Sequence, residues 1–165
     1  MNTGNQRSGG VLVIAYGNPL RCDDGIAWQA AEEIRRKLPS VAVCCAQQLT
    51  PELAEAAGGA GTVIFIDATR DGEPGKVSCQ AVFPDFAGMH YSHSLTPAQV
   101  LAFCNQLYGA KPRAFVISIG GQHFDHGEAI SSEIIEAVPR TVGTIKELLH
   151  EIEIQAAESP LIPSQ

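Results

Sequence analysis

The chain has 165 residues, 45% of them hydrophobic and 18% charged, which is enough for one domain with a real core and too apolar for a disordered segment. Eleven Lys and Arg against 18 Asp and Glu leave a formal net charge of −7, which argues against nucleic-acid and anionic-membrane partners, because phosphate contacts need clustered cations. No apolar run approaches the ~20 residues of a spanning helix, and the polar, glycine-rich start lacks the apolar centre of a secretory signal, so the expected location is cytoplasmic.

The first ten residues are expected to be a flexible N-terminus. Val11 to Tyr16 then reads as a buried strand. Gly17-Asn18-Pro19-Leu20-Arg21-Cys22-Asp23-Asp24-Gly25 follows as a turn that opens a helix, in which Ala27, Ala30, Ala31, Ile34 and Leu38 recur at helical spacing up to Pro39. Val41 to Ala46 is a second apolar run. Thr50-Pro51 reads as an N-cap and first helical residue of a short helix, which Gly58-Gly59-Ala60-Gly61 ends. Thr62 to Ile66 is a third strand, closed by Asp67, and Lys76 to Val82 a fourth.

Phe83 to Leu95 has no clear period and reads as a loop carrying His90 and His93. Thr96-Pro97 begins the next helix, with Gln99 placed for a capping box. Ala114 to Ile119 is another buried strand. Gly120 to Ala129 reads as a polar loop, its two leading glycines suggesting a mobile rim. Ser131 or Ser132 caps a last helix expected to run to about Ile154, with a kink at Pro139. The prolines and low apolar content after Ala156 predict a frayed tail. One domain is expected over residues 11–155, with a flexible tail over 156–165. Strands alternating with helices predict an α/β fold, a three-layer αβα sandwich around a mostly parallel, or mixed, five-stranded sheet.

The five cysteines are Cys22, Cys44, Cys45, Cys79 and Cys104. They form no CxxC pair and read as reduced thiols. Cys22 is a poor nucleophile candidate, since adjacent carboxylates disfavour the thiolate.

Asp24 follows the first strand and Asp67 the third. If those strands are parallel, both carboxylates emerge at the sheet edge where open α/β sheets bind ligands. His93 precedes a helix entering the same region. Two carboxylates and an imidazole suit a divalent metal such as nickel or zinc, and three protein ligands leave positions for water or substrate. Each residue also has a plain structural reading. Asp67 suits a strand-end turn, Asp23 and Asp24 oppose a helix dipole, and His93 suits a loop surface. His90, His123, Asp125 and His126 read as solvated loop residues by default.

The order of apolar strand, GNPLRCDDG and amphipathic helix resembles the opening of the nickel-iron hydrogenase maturation proteases. Ile66-Asp67-Ala68, Ser92-His93-Ser94-Leu95-Thr96-Pro97 and Gly127-Glu128-Ala129-Ile130-Ser131 resemble later motifs of that family. The resemblance spans roughly residues 11–150. It implies an endopeptidase that removes the C-terminal extension of a hydrogenase large-subunit precursor after nickel insertion. Asp24, Asp67 and His93 are then both the catalytic residues and the ligands of nickel carried by the substrate, with no organic cofactor. The first ligand is Glu in some members and Asp24 here, with Asp23 its neighbour. Tyr16 stands where many members have glycine, and is expected to narrow the groove. No HExxH, GxSxG or papain-like cysteine signature is present, which argues against a conventional protease mechanism. Whether the metal or a carboxylate activates water is left open by the sequence. The alternatives are a peptidyl-tRNA hydrolase-like esterase, which shares a Gly-Asn-Pro turn but calls for a basic groove, and a non-catalytic nickel-sensing module.

Overall fold

The computed structural model describes residues 9–87 and 94–159. Strands β1 (Val11–Tyr16), β2 (Ala42–Ala46), β3 (Thr62–Thr69), β4 (Val77–Ala81) and β5 (Arg113–Gly120) form one sheet in the order β2-β1-β3-β5-β4. All neighbours are parallel except β4, which runs antiparallel to β5 at the sheet edge. Helices α1 (Ile26–Lys37), α2 (Leu53–Gly58), α3 (Pro97–Tyr108), α4 (Ser132–Ile135) and α5 (Ala137–Glu158) complete the three-layer sandwich.

The period of two along each strand sorts the apolar residues into two cores. Val13, Ala15, Ile64, Ile66, Ile117 and Ile119 face Ile26, Ile34 and Ile145 of α1 and α5. Leu12, Ile14, Val63, Phe65 and Ala114 face Ala54, Ala57, Val100 and Leu101 of α2 and α3. Along β1, Val13 to Ala15 are fully buried, the signature of a central strand covered on both faces.

Several boundaries differ from those expected, each for a local reason. β3 continues past Ile66 to Thr69 because Asp67, Ala68 and Thr69 stay in register with Ser118, Ile119 and Gly120. The helix after Thr50-Pro51 starts at Leu53 rather than Pro51; Leu53 and Ala54 first close turns onto the carbonyls of Thr50 and Pro51. The final helical pattern is two helices, broken at Glu136. Pro139 therefore falls in the first turn of α5, where a missing N–H costs no intrahelical bond, so the expected kink has no cause. α5 ends at Glu158, later than expected. At α3 the capping box forms as expected: the Gln99 N–H donates to Thr96 Oγ1, and the Thr96 N–H donates to Gln99 Oε1.

Among the described residues, no helix is long and apolar enough to cross a membrane. The five cysteines are free.

Candidate active site

The parallel strands β1, β3 and β5 end on one side of the sheet. On the α2–α3 face of that edge a polar row crosses four strands. Asp67 pairs with Ser118, Ser118 with Ser78, and the register of β1 on β3 brings Tyr16 opposite Asp67. The Ser118 hydroxyl donates to Asp67 Oδ1 at 2.8 Å, and the Tyr16 hydroxyl donates to Asp67 Oδ2 at 2.9 Å. Burial raises the proton affinity of Asp67. The Ser118 and Tyr16 hydrogen bonds oppose that rise, and the charge of Asp24 adds to it, leaving a net upward shift. Burial, then the Asp67 carboxylate, then Asp24 push the Tyr16 hydroxyl up as well. Tyr16 accordingly keeps its proton and donates it. Its hydroxyl reaches Asp67 from the end of β1.

Asp24 approaches the same edge from the turn after β1. Its Oδ2 accepts the Asn18 N–H at 2.7 Å, so the carboxylate is held by its own loop. Gly17 makes this approach possible. It has φ +147°, and a Cβ there would sit 2.2 Å from the Asp24 carbonyl oxygen. The Trp28 indole N–H donates to the Gly17 carbonyl at 3.0 Å, tying the turn to α1. Asp24 borders a cleft of about 330 Å³ whose other walls include Arg21, Thr69, Arg70 and Phe124. The Arg70 guanidinium lies 4.4 Å from the Phe124 ring centroid, and Arg21 Nε donates to the Phe124 carbonyl at 3.2 Å. Two carboxylates, one of raised proton affinity, thus share a sheet edge with two guanidinium groups. Such a set suits attracting a cation to the acids and taking up a proton at the carboxylate of raised affinity.

Asp23 has a different task. It is fully buried. Its Oδ2 accepts the Gln122 and His123 N–H groups, each at 2.8 Å, and the Ser131 hydroxyl at 3.0 Å; Oδ1 accepts the Ser131 N–H at 2.7 Å. Burial opposes ionisation here, but these bonds to the charged form outweigh it and hold the carboxyl below its ordinary range. Backbone bonds reinforce the clamp: Cys22 N–H to Gly127 O, Asp23 N–H to His123 O, and Gly127 N–H to Leu20 O. The loop expected as a mobile rim is therefore pinned to the first turn. Gly121 permits the contact, since a Cβ there would lie 2.4 Å from the Phe124 ring. Ser131, expected as a helix cap, makes no side-chain cap bond because its hydroxyl serves Asp23.

The structure thus brings Asp24 and Asp67 to one edge. His93 and His90 lie outside the described residues. Among the described residues, no group of three His, Cys, Asp or Glu side chains is placed to hold a metal. His123, Asp125 and His126 are exposed on the pinned loop. The roles of Ser118 and Asp23 were missed in the sequence. Ser118 carried a signal, as the lone polar residue in Phe115-Val116-Ile117-Ser118-Ile119. Asp23 carried none, because its three partners, Gln122, His123 and Ser131, lie about 100 residues away.

No protein-family model matches the chain, and no curated protein matches it. Solved structures do. The hydrogenase maturating endopeptidase HybD from E. coli superposes with a TM-score of 0.69 at 16% identity, over 86% of this chain and 93% of that one. The [NiFe] hydrogenase maturation protease HybD from Thermococcus kodakarensis gives 0.65 at 22% identity, over 84% and 98%. A hydrogenase 2 maturation peptidase from Thaumarchaeota archaeon SCGC_AB-539-E09 gives 0.65 at 23% identity, over 86% and 98%. At these identities the likeness establishes the fold: this chain has the α/β fold seen in those proteins.

Proposed function

We propose that the chain is an endopeptidase that removes the C-terminal extension of a nickel-loaded hydrogenase large-subunit precursor. The observation that carries this reading is the meeting of Asp24 and Asp67 at one sheet edge, in a fold shared with hydrogenase maturation endopeptidases. In this reading nickel belongs to the substrate. Asp24, Asp67 and His93 bind it and set the scissile bond against the edge. Arg21 and Arg70 flank Asp24 and balance negative charge as a carbonyl oxygen becomes an oxyanion. Ser118 and Tyr16 orient Asp67. Its raised proton affinity suits it to take a proton from the attacking water, with the hydroxyls of Ser118 and Tyr16 holding both oxygens in place.

The test is incubation of purified precursor with the purified protein, followed by mass spectrometry of the large subunit. Loss of the C-terminal extension by the native chain, and its retention with Asp24→Asn or Asp67→Asn, is the expected result. An intact precursor after incubation with the native chain overturns the proposal.

A further inference from the structure

A groove leads away from the Asp67 edge along the α2–α3 face of β4 and β5. Its upper part, about 230 Å³, is lined by Ser78, Gln80, Ala81, Val82, Val116 and Ser118. Ser118 is the residue that holds Asp67. Ala81 and Val82 also line the lower part, an apolar cavity of about 650 Å³ that continues between Phe83, Phe86 and Leu101 to Lys111 and Arg113. Phe83 is 76% exposed and Phe86 49% exposed, an unusual display of large apolar side chains.

The charges on this groove are one-sided. The formal net charge of the chain is −7, yet the described lining of both parts holds two cations and no Asp or Glu. Lys111 and Arg113 are exposed, and the ion pairs among the described residues involve neither. Arg113 Nη1 donates to Gln155 Oε1 at 3.1 Å, a neutral partner that aims the guanidinium without neutralising it. Asp85, the acid nearest in sequence to the two phenylalanines, is exposed, accepts the Ala87 N–H with Oδ1 and is not among the residues lining either part.

We infer that this groove binds the apolar C-terminal end of a polypeptide, with its free α-carboxylate on Lys111 and Arg113. The inference rests on the peptidase reading, because it supplies the seat for the segment beyond the scissile bond. Arg113 and Ser118 lie five positions apart on β5, an odd separation that turns Arg113 to the α5 side, so the lower cavity bends round the end of the sheet to reach it beside Gln155; a strand rises about 3.3 Å per residue. About five extended residues therefore reach from the Asp67 edge to the cations. Phe83, Phe86, Val82 and Leu101 supply apolar contact, and the two cations recognise a chain end rather than an internal segment.

The test is fluorescence anisotropy of the full chain with a fluorescein-labelled octapeptide of alternating serine and valine ending in leucine. The peptide is used as the free acid and as the C-terminal amide. The acid is expected to bind about fivefold or more tightly than the amide. Lys111→Glu, at an exposed position, is expected to erase that preference while leaving amide binding within about twofold. Phe83→Ser is expected to weaken both forms. Equal binding of acid and amide, binding of neither, or an acid preference that survives Lys111→Glu overturns the inference. So does a concentration-dependent dimer abolished by Phe83→Ser, which gives the face to a second copy. The probe carries no cleavage sequence, so the two readings fail separately. Precursor processing without acid preference removes the groove alone, and acid preference without processing removes the peptidase reading alone.

Discussion

The Tyr16 hydroxyl donates to Asp67 Oδ2 at 2.9 Å, joining the last residue of β1 to the one carboxylate on β3. Each carboxylate oxygen has two lone pairs, so this bond restrains Asp67 while leaving it able to meet a cation or a water. Tyr16→Phe removes one of the two donors that favour the charged form. Asp67 should then hold its proton to higher pH, and the acid limb of the processing rate should move to higher pH. A pH–rate profile unchanged by Tyr16→Phe would show that the hydroxyl does not tune Asp67.

Asp67 is expected to lower fold stability at neutral pH. Burial, only partly offset by Ser118 and Tyr16, sets its folded-state pKa above the unfolded value. The folded chain therefore holds the proton more tightly, and this favourable contribution is full below the unfolded pKa and lost as pH rises through the folded one. Asp67→Asn removes the charge and should leave Tm at pH 7 unchanged or raised by about 2–4 °C, while processing is lost. A Tm lowered by more than a few degrees would mean that Asp67 is a structural residue.

Asp23 should behave in the opposite way. Its folded-state pKa is lowered, so its contribution is present above the unfolded pKa and lost as pH falls through the folded one. Asp23→Ala leaves three part-buried backbone N–H donors without their carboxylate and should cost about 1–3 kcal/mol. Urea denaturation at pH 7 measures this cost. Repeating it towards pH 3 should show the gap between native and variant narrowing. A gap that widens on acidification would contradict the clamp.

Strand periodicity made the sheet legible. Val11–Tyr16, Thr62–Ile66 and Ala114–Ile119 are apolar on both faces, and only a central position buries both. The placement of Asp24 and Asp67 followed from those strands being parallel. The polar dressing of the site was less legible, because hydrogen bonds between residues 51 or about 100 positions apart depend on register and loop packing. Asp23 and Asp24 show the limit. They are identical neighbours, yet one faces the cleft and the other is buried beneath the 121–131 loop. The break at Glu136 was hidden because the apolar period runs on across it, and Pro139 suits a first turn as well as an interior kink.

Gly17→Ala should damage the site through the backbone. A Cβ would meet the Asp24 carbonyl at 2.2 Å, at a φ that side-chain-bearing residues rarely adopt. The strained conformation alone costs about 1–3 kcal/mol, and relief requires the Asn18–Asp24 contact to move. Loss of processing should accompany a lower denaturation midpoint. Native activity and stability in this variant would show that the turn tolerates a different path and that Asp24 is not held by it.

Cleavage of nickel-loaded against nickel-free precursor, under one buffer and followed by mass spectrometry, tests the proposed metal-gated peptidase most directly. Two carboxylates and one imidazole without a thiolate should hold free nickel weakly, so the metal must arrive with the substrate's own ligands. The account predicts that the nickel-loaded precursor loses its C-terminal extension and the nickel-free precursor stays intact. Equal cleavage of both would contradict it and leave a metal-independent mechanism on the same carboxylates.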